Sequence, residues 1–103
     1  MPWYLGVAYF FGGVFLANAI PHIVSGVLGR PLQTPFASPP FKGLSSAAVN
    51  VAWGLFNLAV AYLLLIVIGK FEIRNWLHAV PCFAGFAAMA FQCARSFARL
   101  SRD

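Results

Sequence analysis

Five polar side chains interrupt otherwise apolar stretches of this chain, and they are the groups best able to do chemistry. They are Asn18, His22, Asn50, Asn57 and Gln92. Amides can hydrogen-bond to one another, and an imidazole can bind a metal or exchange a proton near neutral pH. Because a polar group in apolar surroundings is costly unless it finds a partner, we expect these five to face each other.

The spacing of these residues supports that expectation. Asn18 and His22 are four residues apart and share one helix face, and a polar and small-residue stripe recurs at helical spacing farther along, namely Asn50, Gly54, Asn57 and Ala61. Counted at about 1.5 Å per residue from the predicted helix ends, His22, Asn50 and Gln92 lie at one depth. Asn18 and Asn57 lie at a second, deeper level, so the five residues predict one polar seam.

Two interpretations of the seam remain open. In the first, the amides hold neighbouring helices in register. In the second, they build a polar pocket or pathway around His22. Pro21 removes the helical donor to the carbonyl of Ala17, which should bend the helix and open space beside His22.

The sequence disfavours both metal binding and catalysis. His22 and His78 are predicted to lie roughly 18 Å apart in depth across a hydrocarbon layer of about 30 Å, so one chain cannot hold a metal with both. We expect no metal ligands and no cofactor, with haem or a pigment at His22 as the alternative. The carboxylates Glu72 and Asp103 fall outside the predicted helices, so we predict no catalytic residues and no enzyme.

The elements that position the seam follow from composition. The chain is 61% hydrophobic and 9% charged, and its mean hydropathy is +0.80. Residues 1–29, 43–69 and 75–94 carry no charged side chain, and about 20 apolar residues suffice to cross a bilayer. We predict one integral membrane domain over residues 1–103, an all-α bundle of three transmembrane helices at about 3–27, 45–68 and 75–97.

Basic residues predict the orientation of these helices. Five fall on the side of the first loop and the C-terminal tail, namely Arg30, Lys42, Arg95, Arg99 and Arg102, whereas Lys70 and Arg74 fall on the other side. The positive-inside rule then places the N-terminus outside and the C-terminus in the cytoplasm. Arg95, Arg99 and Arg102 are predicted to contact lipid headgroups, so the net charge of +5 requires no nucleic-acid partner.

The connection over residues 28–44 contains four prolines and should form a stiff loop, since proline removes backbone donors. We expect it to lie along the membrane surface with Leu32, Phe36 and Phe41 dipped into the lipid. The alternative is a strap or plug that folds back over the helices.

The first two predicted helices and their loop contain four distinctive runs, namely Asn18-Ala19-Ile20-Pro21-His22, Thr34-Pro35-Phe36-Ala37-Ser38-Pro39-Pro40, Gly43-Leu44-Ser45-Ser46 and Trp53-Gly54 with Asn57-Leu58. These runs resemble those of short, uncharacterised bacterial multi-span membrane proteins. The resemblance implies a bacterial inner membrane and no particular activity.

The sequence therefore favours a small multi-pass protein of the bacterial inner membrane. We expect it to act as a structural or accessory subunit of a homo-oligomer or of a larger membrane complex, with the bilayer and another membrane protein as partners. The alternative is binding or transport of a lipid, a quinone or another apolar ligand in a pocket between helices one and two.

Overall fold

A computed structural model of the protein describes residues 1–98 and contains three long helices. They are α1 (Trp3–Val27), α2 (Ala47–Tyr62) and α3 (Trp76–Phe97), and a π-helical segment, Leu63–Ile68, continues α2. By length and composition, α1, the continuous Ala47–Ile68 helix and α3 could each cross a membrane. The all-helical, three-helix architecture is thus confirmed, and it is compatible with a multi-pass membrane protein.

Side-chain caps explain where the second and third helices begin. The Ser46 side chain accepts a hydrogen bond from the backbone N–H of Val49, and the Asn75 side chain accepts one from Leu77. Such caps satisfy amide groups that the first helical turn leaves unpaired. Helix α2 therefore begins two residues later than predicted, because Ser45 belongs to a short strand before the cap.

Helix α1 packs along both other helices, whereas α2 and α3 make few contacts with each other. Glycines permit the close approach on each side. A Cβ atom at Gly85 of α3 would overlap the backbone carbonyl of Phe10, and one at Gly54 of α2 would lie 3.0 Å from the backbone nitrogen of Ile23. Helices α2 and α3 are therefore separated by a cleft, and α1 forms the floor of that cleft.

A hydrogen-bonded cluster fixes the α2–α3 connection at one end of this cleft. The hydroxyl of the fully buried Tyr9 donates to the carbonyl of Gly69 and lies 3.1 Å from Nε2 of His78. The backbone N–H of Glu72 donates to Nδ1 of His78 at 3.0 Å. Neutral His78 therefore carries its hydrogen on Nε2 and donates it to Tyr9.

At the other end, residues 28–46 fold back over the helices and form what we call the strap. Within it, β1 (Leu32–Gln33) and β2 (Leu44–Ser45) pair antiparallel. Leu32, Gln33 and Thr34 are buried. Leu32 is therefore packed against the protein and not dipped into lipid as expected, whereas Phe36 and Phe41 are 67% and 66% exposed. The contacts fit the strap alternative, because carbonyls of Leu32 and Ser45 accept hydrogen bonds from Asn50 of α2.

The outer faces of the helices are strongly apolar. Helix α3 is the least buried of the three, and Phe83 and Phe91 are 74% and 78% exposed. Apolar surfaces of this extent on a small protein mark contact with lipid or with a protein partner.

Candidate functional site

The strap and two helices meet at the side chain of Asn50, which is fully buried. Its Nδ2 atom lies 3.2 Å from the carbonyl of Leu32, 3.1 Å from that of Ser45 and 3.0 Å from that of Ser46. Its Oδ1 atom lies 2.6 Å from Nδ1 of His22. Since the amide nitrogen faces three carbonyls, the amide oxygen must face the histidine and accept a hydrogen bond from it.

This arrangement sets the tautomer of His22, whose side chain is 2% exposed. In its neutral form the ring carries its hydrogen on Nδ1, which donates to Asn50, so Nε2 keeps its lone pair. Nε2 has no hydrogen-bond partner among residues 1–98, and His22 borders a cavity. His22 is therefore a cavity-lining residue whose Nε2 acceptor is not engaged by residues 1–98.

A second polar pair lies one turn below the first. Nδ2 of Asn18 donates to Oδ1 of Asn57 at 3.1 Å, and Nδ2 of Asn57 donates to the carbonyl of Trp53 at 2.8 Å. The thiol of Cys93 on α3 contacts Oδ1 of Asn18 at 3.6 Å. Asn18 thus links all three helices at this depth.

The structure joins four of the five seam residues in two hydrogen-bonded pairs, and the fifth, Gln92, lines the same cavity as Asn18 and His22. Gln92 is exposed, and its side chain donates to Ser96 one turn along the same helix at 3.1 Å. Of the predicted headgroup contacts, Arg95 is exposed in the last turn of α3. Arg99 and Arg102 lie outside the described residues.

The cavity beside His22 has a volume of about 230 Å³. Asn18 and His22 of α1 form its floor, residues of the strap cover it, and α3 contributes one wall. From α2 only Trp53 reaches it. The pocket therefore lies mainly between α1 and α3, whereas the sequence predicted it between helices one and two.

Aromatic rings enclose the imidazole of His22 on two sides. The ring of Trp53 lies 6.4 Å from that of His22 and the ring of Phe97 lies 5.8 Å away, both edge to face. Apolar walls with a few converging polar groups are typical of small-molecule sites. Within residues 1–98, no group of three or more His, Cys, Asp or Glu side chains could hold a metal ion.

Sequence reasoning placed Cys93 near Gln92 but missed Thr34 and Phe97 as residues of this site. Thr34 is 1% exposed, and its hydroxyl bonds to the hydroxyl of Ser45 across the strand pair. Its position between two proline-flanked segments gave no periodic signal. Cys93 and Phe97 share the helical face of Met89, a spacing that was available in the sequence.

Comparison of the chain with protein-family models, with curated proteins and with solved structures finds no match.

Proposed function

We propose that this protein binds, within the membrane, an apolar ligand that carries a hydroxyl group. The observation that supports this is the imidazole of His22, which lines the cavity with its Nδ1 hydrogen engaged by Asn50 and its Nε2 without a hydrogen-bond partner among residues 1–98. A ligand hydroxyl would donate to Nε2. A charge-neutral hydrogen bond of this kind contributes about 0.5–1.5 kcal/mol, enough to orient a ligand whose body is apolar.

Because the unprotonated Nε2 of His22 can only accept a hydrogen bond, the ligand must carry a hydrogen-bond donor. Lipid alcohols and quinols carry O–H donors, whereas the oxygens of a quinone only accept hydrogen bonds. Neutral His22 would therefore prefer the reduced, quinol form over the quinone. We propose binding or transport and no catalysis, because Glu72, the one carboxylate among residues 1–98, lies by His78 at the opposite end of the helices.

We further propose a bacterial inner membrane with the strap on the cytoplasmic side and the N-terminus outside. The basic residues Arg30, Lys42 and Arg95 at the strap end, against Lys70 and Arg74 at the other end, support this orientation.

A second candidate function, that of an accessory subunit in a homo-oligomer or a larger membrane complex, is favoured by α3. In the most apolar 18-residue stretch of α3, only 6% of the residues are buried by the rest of the described chain. Solubilisation in mild detergent followed by native mass spectrometry tests this candidate. A defined oligomer or a stoichiometric companion protein would support it, and a monomer carrying only lipid would contradict it.

Ligand binding is tested with a photoreactive octanol in lipid nanodiscs, with unlabelled octanol and its methyl ether as competitors. We expect labelling of α3 around residues 89–97, and competition by octanol up to about tenfold stronger than by the ether, since one hydrogen bond is lost. Equal competition by the two compounds would contradict the role of His22. Labelling that neither compound reduces would contradict the binding site.

A further inference from the structure

We propose that an apolar groove beside the cavity holds the tail of the ligand, so that the ligand is a long-chain amphiphile. This inference rests on the proposed function, because the head of the same molecule would lie at His22. It adds the size and shape of the ligand, which the cavity alone leaves open.

The groove lies on the outer side of α2, under the edge of the strap. Its volume is about 290 Å³, and it is lined by Phe36, Val49, Ala52, Trp53 and Phe56. Trp53 stacks on Phe56, with ring centroids 5.6 Å apart and an interplanar angle of 13°, and Phe36 meets Trp53 edge to face at 5.2 Å. None of these five side chains is charged, and the indole N–H is their one hydrogen-bonding group.

The groove and the cavity are neighbours that share one wall. Trp53 lines both spaces, and consecutive strap residues divide between them, with Pro35 at the cavity and Phe36 at the groove. A chain that passed the indole of Trp53 would run from the cavity into the groove. This shared wall is the reason to assign the groove to the ligand's tail and not to a separate molecule.

The volumes of the cavity and the groove also support placing the ligand's tail in the groove. Pockets for small molecules usually measure about 300–1,000 Å³, and the cavity at His22, at about 230 Å³, falls below that range. The cavity and the groove together fall within it. The cavity therefore suits a head group, and the apolar remainder of the molecule needs the groove.

Ala52 offers a specific way to test the groove. It is the smallest lining residue and it is exposed, so a larger side chain there fills the groove without entering the helix interface. Ala59 is a matched control, since it is also an exposed alanine on α2 but does not line the groove. The variants are Ala52→Phe and Ala59→Phe.

The probes are hexadecanol with a diazirine at the tail end and octanol with a diazirine near the hydroxyl, both in nanodiscs. We expect the hexadecanol probe to label residues 49–56, and Ala52→Phe to reduce that labelling at least fivefold while Ala59→Phe leaves it unchanged. The octanol probe should label the cavity equally in all three proteins.

The outcomes separate the two proposals. If octanol labels the cavity but the hexadecanol tail labels sites away from residues 36 and 49–56, the tail assignment is overturned and the proposed function stands. If unlabelled octanol does not reduce labelling of the cavity by the octanol probe, the proposed function fails and the tail assignment fails with it.

Discussion

Nδ1 of His22 lies 2.6 Å from Oδ1 of Asn50, and through this contact one amide joins the imidazole of α1 to the strap. The other end of the same amide donates to carbonyls of Leu32, Ser45 and Ser46. The position of the strap and the orientation of His22 therefore depend on each other, because both use one side chain.

A double-mutant cycle measures this dependence. We expect His22→Leu and Asn50→Leu each to lower the free energy of unfolding, and their coupling energy to reach about 0.6–2 kcal/mol, as for buried polar pairs in membrane helices. The measurement is unfolding in mixed micelles. His22→Leu with Asn57→Leu is the control cycle, since Asn57 bonds to Asn18, and it should be close to additive. Equal coupling in both cycles would contradict a specific His22–Asn50 bond.

Close packing of α1 against α3 predicts a strong effect of one methyl group. Gly85→Ala places a Cβ atom against the backbone carbonyl of Phe10, so we expect destabilisation by about 1–3 kcal/mol. Gly6→Ala is the control, because its Cβ would contact only the flexible end of Met1 at 3.9 Å. Alanine in a helix is favoured over glycine by about 1 kcal/mol, so Gly6→Ala should be neutral or stabilising. Thermal unfolding in detergent compares the two, and an equal response would argue against tight α1–α3 packing.

The cluster at the far end of the helices predicts that one hydroxyl stabilises the α2–α3 connection. Tyr9→Phe removes the donor to the Gly69 carbonyl and the acceptor for His78, which should cost about 1–3 kcal/mol. Tyr62→Phe, at a residue that is 58% exposed, should change stability little. Hydrogen exchange of residues 69–75 is the local measurement. Unchanged exchange in Tyr9→Phe would show that the connection is held by other contacts.

The proposed orientation is tested with single cysteines in a variant that lacks Cys82 and Cys93. We expect an impermeant thiol reagent to label Trp3→Cys on intact cells and to label Ser38→Cys only after the cells are opened. Both positions are exposed, so access to the reagent depends on the side of the membrane. The reverse pattern would place the strap outside.

Helix positions were predictable from the sequence because long charge-free stretches leave few alternatives in a chain of 103 residues. The bounds of α1 agree with the prediction, and the buried face of α2 is the predicted stripe of Asn50, Gly54, Asn57 and Ala61. Depth counting also placed His22 level with Asn50 and Asn18 level with Asn57. These features depend on helical periodicity, which the sequence carries directly.

The strap and the pocket depend on contacts that no local pattern encodes. Asn50 bonds to residues 5 and 18 positions away in the chain, and the β1–β2 pair is only two residues long. Gln92 lines the cavity with His22, but its side chain donates to Ser96 of its own helix, a pairing that depth counting does not specify. The π-helical segment Leu63–Ile68 had no sequence signal either.

The tautomer of the His22 ring, and its response to an added alcohol, test the central proposal most directly. In protein with ¹⁵N-labelled histidine in nanodiscs, NMR should show His22 with its hydrogen on Nδ1 and a bare Nε2. Adding octanol should shift the Nε2 resonance in a saturable way, whereas octyl methyl ether should leave it unchanged. A His22 signal with its hydrogen on Nε2, or one that responds equally to both compounds, would contradict a hydroxyl-binding site at this residue.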